Sequence, residues 1–153
     1  MSAEVVVERI DANGVDDLLP LFLDYLRFYE RTIDAEVARA FLQARLQQRQ
    51  SVVFLARLGS GAIGFVQLYP AFASLSLAPS WILNDLYVAE NARGRGAARA
   101  LMEAARGLAL TNGAAEIFLQ TARDNTPAQT LYEGLGYARD DAFLVYTLSL
   151  PRP

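Results

Sequence analysis

A run of arginine and glycine, ARGRGAARALM at residues 92–102, stands at the start of an apolar helical segment. Glycine permits positive φ and close approach of the backbone to a ligand. The free N–H groups and the dipole of a helix N-terminus attract anions. The chemistry that this pattern predicts is therefore the binding of a phosphate or of a similar anion.

Three known phosphate-binding turns match this run to different degrees. A P-loop requires Gly-Lys-Ser/Thr, which the run lacks. A dinucleotide-binding turn requires a third glycine in G-x-G-x-x-G, and Arg99 stands at that position. Residues 93–98 do match a third pattern, R/Q-x-x-G-x-G/A.

The composition excludes several classes of chemistry. The chain has no cysteine and no histidine, so we expect no thiolate nucleophile, no imidazole base and no metal site. The formal net charge of −3 at pH 7 argues against nucleic acid or a membrane as a partner. The start of the chain has no basic apolar leader, and no segment reaches the roughly 18 apolar residues of a membrane span. We therefore expect a cytoplasmic protein.

The elements that position the run follow from the periodicity of apolar residues. The second helix is expected to begin after Asp34 and to bury Ile33, Val37, Phe41 and Leu42. With the other predicted helices and strands it gives the order β-α-α-β-β-β-α-β-α-β. This order is an α/β (α+β) fold in a single domain of residues 1–153. The predicted strands lie at residues 4–10, 51–58, 62–72, 80–90, 115–122 and 142–150.

Three segments together resemble the GNAT (GCN5-related) N-acetyltransferase superfamily over nearly the whole chain. They are LNDLYV at 83–88, RGRGAARALM at 93–102 and NTPAQTLYEGLGY at 125–137. YLRFYE and WILNDLYV resemble more narrowly the branch of histone/polyamine and diamine acetyltransferases. The resemblance implies a mixed, mostly antiparallel sheet of about seven strands flanked by four helices, and acetyl-CoA as the cofactor.

The resemblance also assigns the contacts to the cofactor. It implies a splay between the LNDLYV strand and the next parallel strand. Main-chain groups of Leu86, Tyr87 and Val88 would then pair with the pantetheine arm, and an N–H at Leu86 or Tyr87 would polarise the thioester carbonyl. The amides of the glycine turn would hold the pyrophosphate, while its arginine side chains either add contacts or are only solvated. The remaining cofactor residues are Arg93, Gly94, Arg95, Gly96, Ala97, Ala98, Arg99, Asn125, Ala128 and Tyr132.

Two residues are candidates for proton transfer. Tyr132 stands where the superfamily has an acid for the CoA thiolate, and the alternative is an aromatic that fills the core. Asp85 is the candidate base, directly or through a water, because a primary amine with a pKa of about 10.4 must lose a proton. The alternative for Asp85 is a buried acid at a bulge. Residues expected on the acceptor side are Tyr25, Tyr29, Glu30, Tyr69, Asn84 and Asp85. The alternative for Tyr25 and Tyr29 is that at least one belongs to the core, because both lie on the apolar face of the first helix.

The sequence thus predicts an acetyl-CoA-dependent N-acetyltransferase. Its acceptor would be a primary amine of a polyamine- or amino-acid-like small molecule, or a lysine or peptide amine. Asn84 stands where the diamine branch has an acid, which counts against a polyamine. Attack would be direct in a ternary complex, since the chain lacks a cysteine that could carry the acetyl group. The alternative is a catalytically silent acyl-CoA-binding sensor or interaction module. The resemblance further implies a homodimer.

Overall fold

The computed structural model describes residues 4–153. They form two compact units, Met1–Gln120, described from residue 4, and Thr121–Pro153. The second unit contains the helix α4 (Thr126–Gly134). The elements of the first unit are β1 (Val5–Ile10), α1 (Val15–Phe28), α2 (Ala35–Gln47), β2 (Val52–Leu58), β3 (Gly61–Ala73), β4 (Ala78–Val88), α3 (Ala97–Asn112) and β5 (Ile117–Phe118).

The five strands form one sheet in the order β1-β2-β3-β4-β5. The first four strands are antiparallel neighbours, and β5 runs parallel to β4. This parallel pair is connected through α3, as a crossover requires. The α/β class and the mixed, mostly antiparallel sheet predicted from the sequence are confirmed.

Helices cover both faces of the sheet. Phe65 on β3 packs against α1, with its ring 6.1 Å from that of Phe22 and 5.6 Å from that of Tyr25. Neighbouring residues of a strand point to opposite faces. The adjacent Gly64 accordingly faces α3, where Leu101 is the nearest helical side chain. The face toward α1 and α2 is therefore distinct from the face toward α3.

The second helix begins as predicted, but only Leu42 of its predicted buried residues is buried. Asp34 is its N-cap, and the Asp34 carboxylate accepts hydrogen bonds from the amides of Glu36 (2.9 Å) and Val37 (3.2 Å). The buried residues are Ala38, Leu42 and Leu46, so the burial of Leu42 is confirmed, whereas Ala38 is buried in place of its neighbour Val37. Because one residue turns a helix by about 100°, the other apolar positions point outward. Ile33, Val37 and Phe41 are 41–62% exposed.

The predicted last strand, at residues 142–150, does not form. Within residues 121–153 the only regular element is α4, and the sheet has five strands rather than about seven. The strand β5 is also shorter than predicted, because its pairing with β4 covers two residue pairs. A high strand propensity means that the side chains suit a pleated sheet. It does not ensure that residues 142–150 find a strand to pair with. None of the helices in residues 4–153 has the length and apolar composition needed to cross a bilayer.

We expect Gly64→Ala to destabilise the protein and Gly107→Ala to stabilise it. A Cβ at Gly64 would lie 2.8 Å from the Tyr87 carbonyl oxygen, whereas one at Gly107, on the exposed side of α3, would meet nothing within 4 Å. The expected changes in the free energy of unfolding are about 1–3 kcal/mol of loss and roughly 0.5–1 kcal/mol of gain. Urea denaturation measures both, and changes of the same sign would contradict the packing described for β3.

Candidate active site

A bulge in β4 sets the positions of the polar residues in this strand. Gln67 of β3 pairs with Asp85, and the next residue, Leu68, pairs with Leu83. Asn84 is therefore an extra residue without a partner in the register. A bulge shifts the alternation of side chains by one residue. Asp85 consequently shares the face of Gln67, which is the face covered by α1.

The same bulge lies where β4 loses its second neighbour. β5 pairs with Trp81 and Ile82 of β4, and the described pairing between the two strands ends there. Residues 83–88 continue to pair with β3. This end of the parallel pairing agrees with the splay that the sequence resemblance implies. It leaves one edge of β4 without β5 along the residues expected to contact the cofactor.

The hydrogen-bond pattern decides which main-chain groups of β4 face that edge. The amide of Ala89 donates to the carbonyl oxygen of Ile63 at 2.8 Å, and bonded pairs alternate with non-bonded pairs along an antiparallel ladder. In the register of β3 and β4, the groups of Tyr87 therefore bond to β3. Those of Leu86 and Val88 point away from β3. Of the two N–H groups predicted to polarise a thioester, the one at Leu86 points away from β3 and the one at Tyr87 points toward it.

The glycine turn has the geometry of an anion site. Gly94 and Gly96 have φ of 81° and 82°, and a Cβ at either would meet nothing within 4 Å. Glycine is therefore required by the left-handed backbone rather than by crowding. Gly96 is the N-cap of α3 and provides no side chain to its first amides. Such amides have no acceptor inside the helix, so the N–H groups of residues 97–99 are available for an anion.

One arginine of the turn is held by the end of β4. The Arg93 Nε donates to the carbonyl oxygen of Val88 at 3.1 Å, and its guanidinium lies 5.9 Å from the centroid of the Tyr87 ring. Arg93 is thus attached to the strand rather than only solvated. Arg95 and Arg99 are exposed, as expected for side chains on the outside of a turn.

Asp85 is the buried centre of a polar cluster. It is 6% exposed, and its carboxylate accepts hydrogen bonds from the Gln67 Nε2 (2.9 Å) and the Asn84 Nδ2 (3.0 Å). The Tyr25 hydroxyl is also hydrogen-bonded to it. An ionised carboxylate offers about four acceptor positions. Three are engaged, so the cluster has room for about one further donor.

Two tyrosines beside Asp85 stay protonated at neutral pH. Burial raises the pKa of Tyr25, and the charge and hydrogen bond of Asp85 raise it further. Burial and the charge of Asp85 raise the pKa of Tyr69 to about 12, while the charge of Arg45 acts in the opposite direction. Both phenols are therefore hydrogen-bond donors near a carboxylate, and neither is a candidate base.

The remaining predicted acceptor residues, Tyr29 and Glu30, lie at the C-terminal end of α1. Tyr29 is half exposed, and its ring lies 5.1 Å from that of Tyr25. Glu30 follows the end of α1 with a left-handed φ of 59° and is exposed. The structure thus groups Tyr25, Tyr69 and Asn84 around Asp85. Tyr29 joins the cluster only through Tyr25.

Gln67 is a residue of this cluster that the sequence reasoning missed. It is 1% exposed and stands directly opposite Asp85. The available signal was an amide in the apolar run GFVQLYP, at the in-facing spacing of Phe65 and Tyr69. A polar residue at a buried strand position requires a partner, and this partner is Asp85.

The second unit contains the later motif. Asn125 caps α4, where its side-chain oxygen accepts a hydrogen bond from the Ala128 amide at 3.3 Å. Tyr132 is half-buried, and its ring lies 6.0 Å from that of Tyr137. Beyond the helix, Gly136 takes a positive φ of 95°. The contacts of Asn125, Ala128 and Tyr132 to a cofactor stay predictions.

The raised pKa of Tyr69 predicts a loss of stability in alkali. The unfolded chain releases the Tyr69 proton from pH 10.0, whereas the folded protein retains it to about pH 12. The free energy of unfolding therefore falls as the pH rises through this window. The chain has no lysine, histidine or cysteine to obscure the titration. We expect Tyr69→Phe to make the fall shallower in urea denaturation at pH 9–12. Tyr146→Phe, at an exposed tyrosine, is the control, and equal slopes in both variants would contradict the burial of Tyr69.

Comparison with known proteins agrees with this geometry. The model of the acetyltransferase (GNAT) family matches residues 16–137. The uncharacterized N-acetyltransferase YhfO of Bacillus subtilis is 44% identical over 145 residues, which cover 95% of this chain and 97% of that protein. The D-amino-acid N-acetyltransferase HPA3 of Saccharomyces cerevisiae is 28% identical over 140 residues, which cover 89% of this chain and 86% of that protein.

Comparison with solved structures also points to an acetyltransferase. A crystal structure of a probable acetyltransferase matches with a TM-score of 0.90 at 39% identity, and the match covers 97% of this chain and 99% of that one. The matched residues include the bulged strand, the glycine turn and α4. The chain belongs to the GNAT family of acetyltransferases and is an acyltransferase enzyme of that family.

Proposed function

We propose that this enzyme transfers the acetyl group of acetyl-CoA to a primary amine by direct attack in a ternary complex. One observation carries the proposal. The bulge at Asn84 both turns Asp85 into the buried face and coincides with the end of pairing to β5. A carboxylate for the amine and a free strand edge for the cofactor are therefore produced by the same distortion of β4.

The residues of the first unit fit an acyl-CoA. Leu86 and Val88 direct main-chain groups to the open edge, where a pantetheine arm would pair as a strand does. The amides of the glycine turn and the dipole of α3 suit a pyrophosphate. When bound, acetyl-CoA supplies a thioester whose carbonyl carbon is the electrophile. The Leu86 N–H would stabilise the developing oxyanion, which is typically worth about 3 kcal/mol.

Asp85 would bind the acceptor and take its proton. A primary alkylamine has a pKa of about 10.4 and arrives as an ammonium ion. The free acceptor position on the Asp85 carboxylate suits one N–H of that ion, and the proton passes to it directly or through a water. Gln67, Asn84 and Tyr25 hold the carboxylate in place. In a site removed from water this attraction is stronger than on the surface.

Tyr132 would protonate the departing CoA thiolate, and the second proton that the nitrogen loses as the amide forms would restore the Tyr132 phenol through water. A phenol with a pKa of about 10 remains protonated at neutral pH and can donate to a thiolate of pKa about 8.5. The position of Tyr132 in the NTPAQTLYEGLGY motif supports this role. Asn125 and Ala128 of the same motif would contribute to the cofactor arm.

The predictions about domain organisation, partner, location and oligomeric state are also part of this proposal. The enzyme would be a single domain of residues 1–153, and the family match across both units supports that. The net charge of −3 supports a small amine or peptide as the partner rather than nucleic acid or membrane. We also propose a cytoplasmic homodimer related to the polyamine and diamine branch. The alternative function remains a silent acyl-CoA-binding module.

The test is a screen for CoA release with polyamines, amino acids, aminoglycosides and lysine peptides. Amino acids are included because the name of the yeast relative gives D-amino acids as acceptors of that protein. We expect at least one amine to support turnover. Asp85→Asn and Tyr132→Phe should each lower kcat by about 100-fold or more, with acetyl-CoA affinity unchanged. Asp24→Asn, at an exposed carboxylate, is the control.

The alternative gives a different result in the same screen. If acetyl-CoA binds but no amine releases CoA, or if both substitutions leave turnover intact, the assigned chemistry is wrong. The chain contains no lysine, so acetylation of its own side-chain amines does not contribute to the signal.

Gly96→Ala should weaken acetyl-CoA binding by at least about 10-fold. A left-handed backbone costs an ordinary residue roughly 1–2 kcal/mol, so the substitution rotates the amides at the entrance of α3. Gly113→Ala is the matched control, since Gly113 has φ of 74° at the other end of the same helix. Both variants should lose similar stability, and calorimetry should find a lower affinity only for Gly96→Ala. Equal affinities would exclude the turn as the pyrophosphate site.

A further inference from the structure

We propose that the acceptor is a small zwitterion of the amino-acid type, whose amine binds at Asp85 and whose carboxylate binds Arg45. This inference rests on the proposed acetyl transfer and names the substrate class of the same site. It depends on three features of the face covered by α1 and α2: an arginine without an anion, a carboxylate with a free acceptor position, and a buried amide oxygen.

Arg45 is a cation that lacks its usual partner. It lies on α2 and is half-buried, and its Nε is buried with no hydrogen-bond acceptor. Its guanidinium stacks over the Phe41 ring, 4.9 Å from the centroid. None of the ion pairs within residues 4–153 includes Arg45. A buried N–H without an acceptor costs free energy, and a guanidinium matches the geometry of a carboxylate. An anionic ligand group would supply the missing acceptor.

Tyr69 connects Arg45 to Asp85. The charges of both residues act on the Tyr69 hydroxyl, in opposite directions. Tyr69 also shares the face of Gln67, two residues away on β3, and Gln67 donates to Asp85. Leu42 and Leu46 of α2 pack in the same core as Phe65 of β3, so Arg45 belongs to the helix layer that covers the face of Gln67 and Asp85, and it forms no ion pair with Asp85. A ligand with a positive and a negative end satisfies both charges.

Gln67 adds a second acceptor for the amine. Its Nε2 donates to the Asp85 Oδ2 at 2.9 Å, and because a carboxylate only accepts, the orientation of the amide is determined. The Gln67 Oε1 is then a buried acceptor without a hydrogen-bond partner. An ammonium ion carries several N–H donors. One can bind Asp85 while another binds the Gln67 Oε1.

The same charges disfavour acceptors with two cationic ends. A polyamine or an aminoglycoside that placed one ammonium at Asp85 would bring another positive group toward Arg45. Like charges close together are unfavourable, and more so in a partly buried site. The arrangement therefore selects for a carboxylate on the acceptor rather than for a second amine.

The test uses matched acceptors with and without the carboxylate. CoA release is measured with an amino acid, the corresponding amino-acid amide and the corresponding decarboxylated amine. We expect the wild-type enzyme to prefer the amino acid by at least about 10-fold in kcat/KM. Arg45→Gln should raise the KM for the amino acid by a similar factor and leave the decarboxylated amine unaffected, and Arg45→Lys should restore part of the preference. Arg49→Gln, at an exposed arginine just after α2, is the control.

The outcomes separate this inference from the proposed function. If amines are acetylated equally well without the carboxylate, or if Arg45→Gln lowers turnover of both acceptors alike, the zwitterion is excluded and acetyl transfer stands. If no acceptor is acetylated, the proposed function fails, and calorimetry of the same compounds with the CoA-loaded protein decides the inference. Binding that requires both Arg45 and the carboxylate supports it, and binding that requires neither overturns it.

Discussion

The β-bulge at Asn84 is the feature on which the rest of the site depends. In a regular strand the alternation of side chains would continue from Ile82 to residues 84 and 86. The extra residue shifts this alternation, so that Asp85 and Tyr87 lie on the face of α1 and Leu86 and Val88 direct their main-chain groups away from β3. Bulges bend a strand and end pairing locally, and here the pairing with β5 ends immediately before the bulge.

The electrostatics of the site follow from this change of face. The Asp85 carboxylate, which would lie on the opposite face in a regular strand, is buried and accepts hydrogen bonds from Gln67, Asn84 and Tyr25. A buried charge requires compensating donors, and these donors are neutral amides and a phenol rather than a cation. None of the ion pairs in the described part of the chain therefore occupies the Asp85 carboxylate. Arg93 is held at the end of β4 by the Val88 carbonyl oxygen, and Arg45 lies on α2 over the Phe41 ring.

Features set by local chemistry were predictable from the sequence. Asp34 and Asn125 cap their helices because a short polar side chain before a helical segment satisfies the first amides. The positive φ of Gly94 and Gly96 likewise follows from residue type at a helix entrance. The resemblance of three motifs then gave the family, and Tyr25, Tyr69 and Asn84, which it named for the acceptor side, lie around Asp85 in the structure.

Features set by tertiary neighbours were not predictable. The helix α2 packs through Ala38, Leu42 and Leu46, whereas periodicity alone also allowed the adjacent stripe. The role of Gln67 could be recognised only from the strand register, which places Gln67 opposite Asp85. The apolar segment at residues 142–150 has the composition of a strand, but composition does not provide the strand that it would pair with.

Residue-by-residue hydrogen exchange along β4 tests most directly the claim that the bulge sets which main-chain groups face the cofactor. The account predicts that the Tyr87 amide is protected with and without acetyl-CoA, because it bonds to β3. The Leu86 and Val88 amides should exchange faster in the free enzyme, and acetyl-CoA should slow exchange at this edge. Protection of Leu86 and Val88 in the free enzyme, with Tyr87 as the residue that responds to acetyl-CoA, would contradict the account.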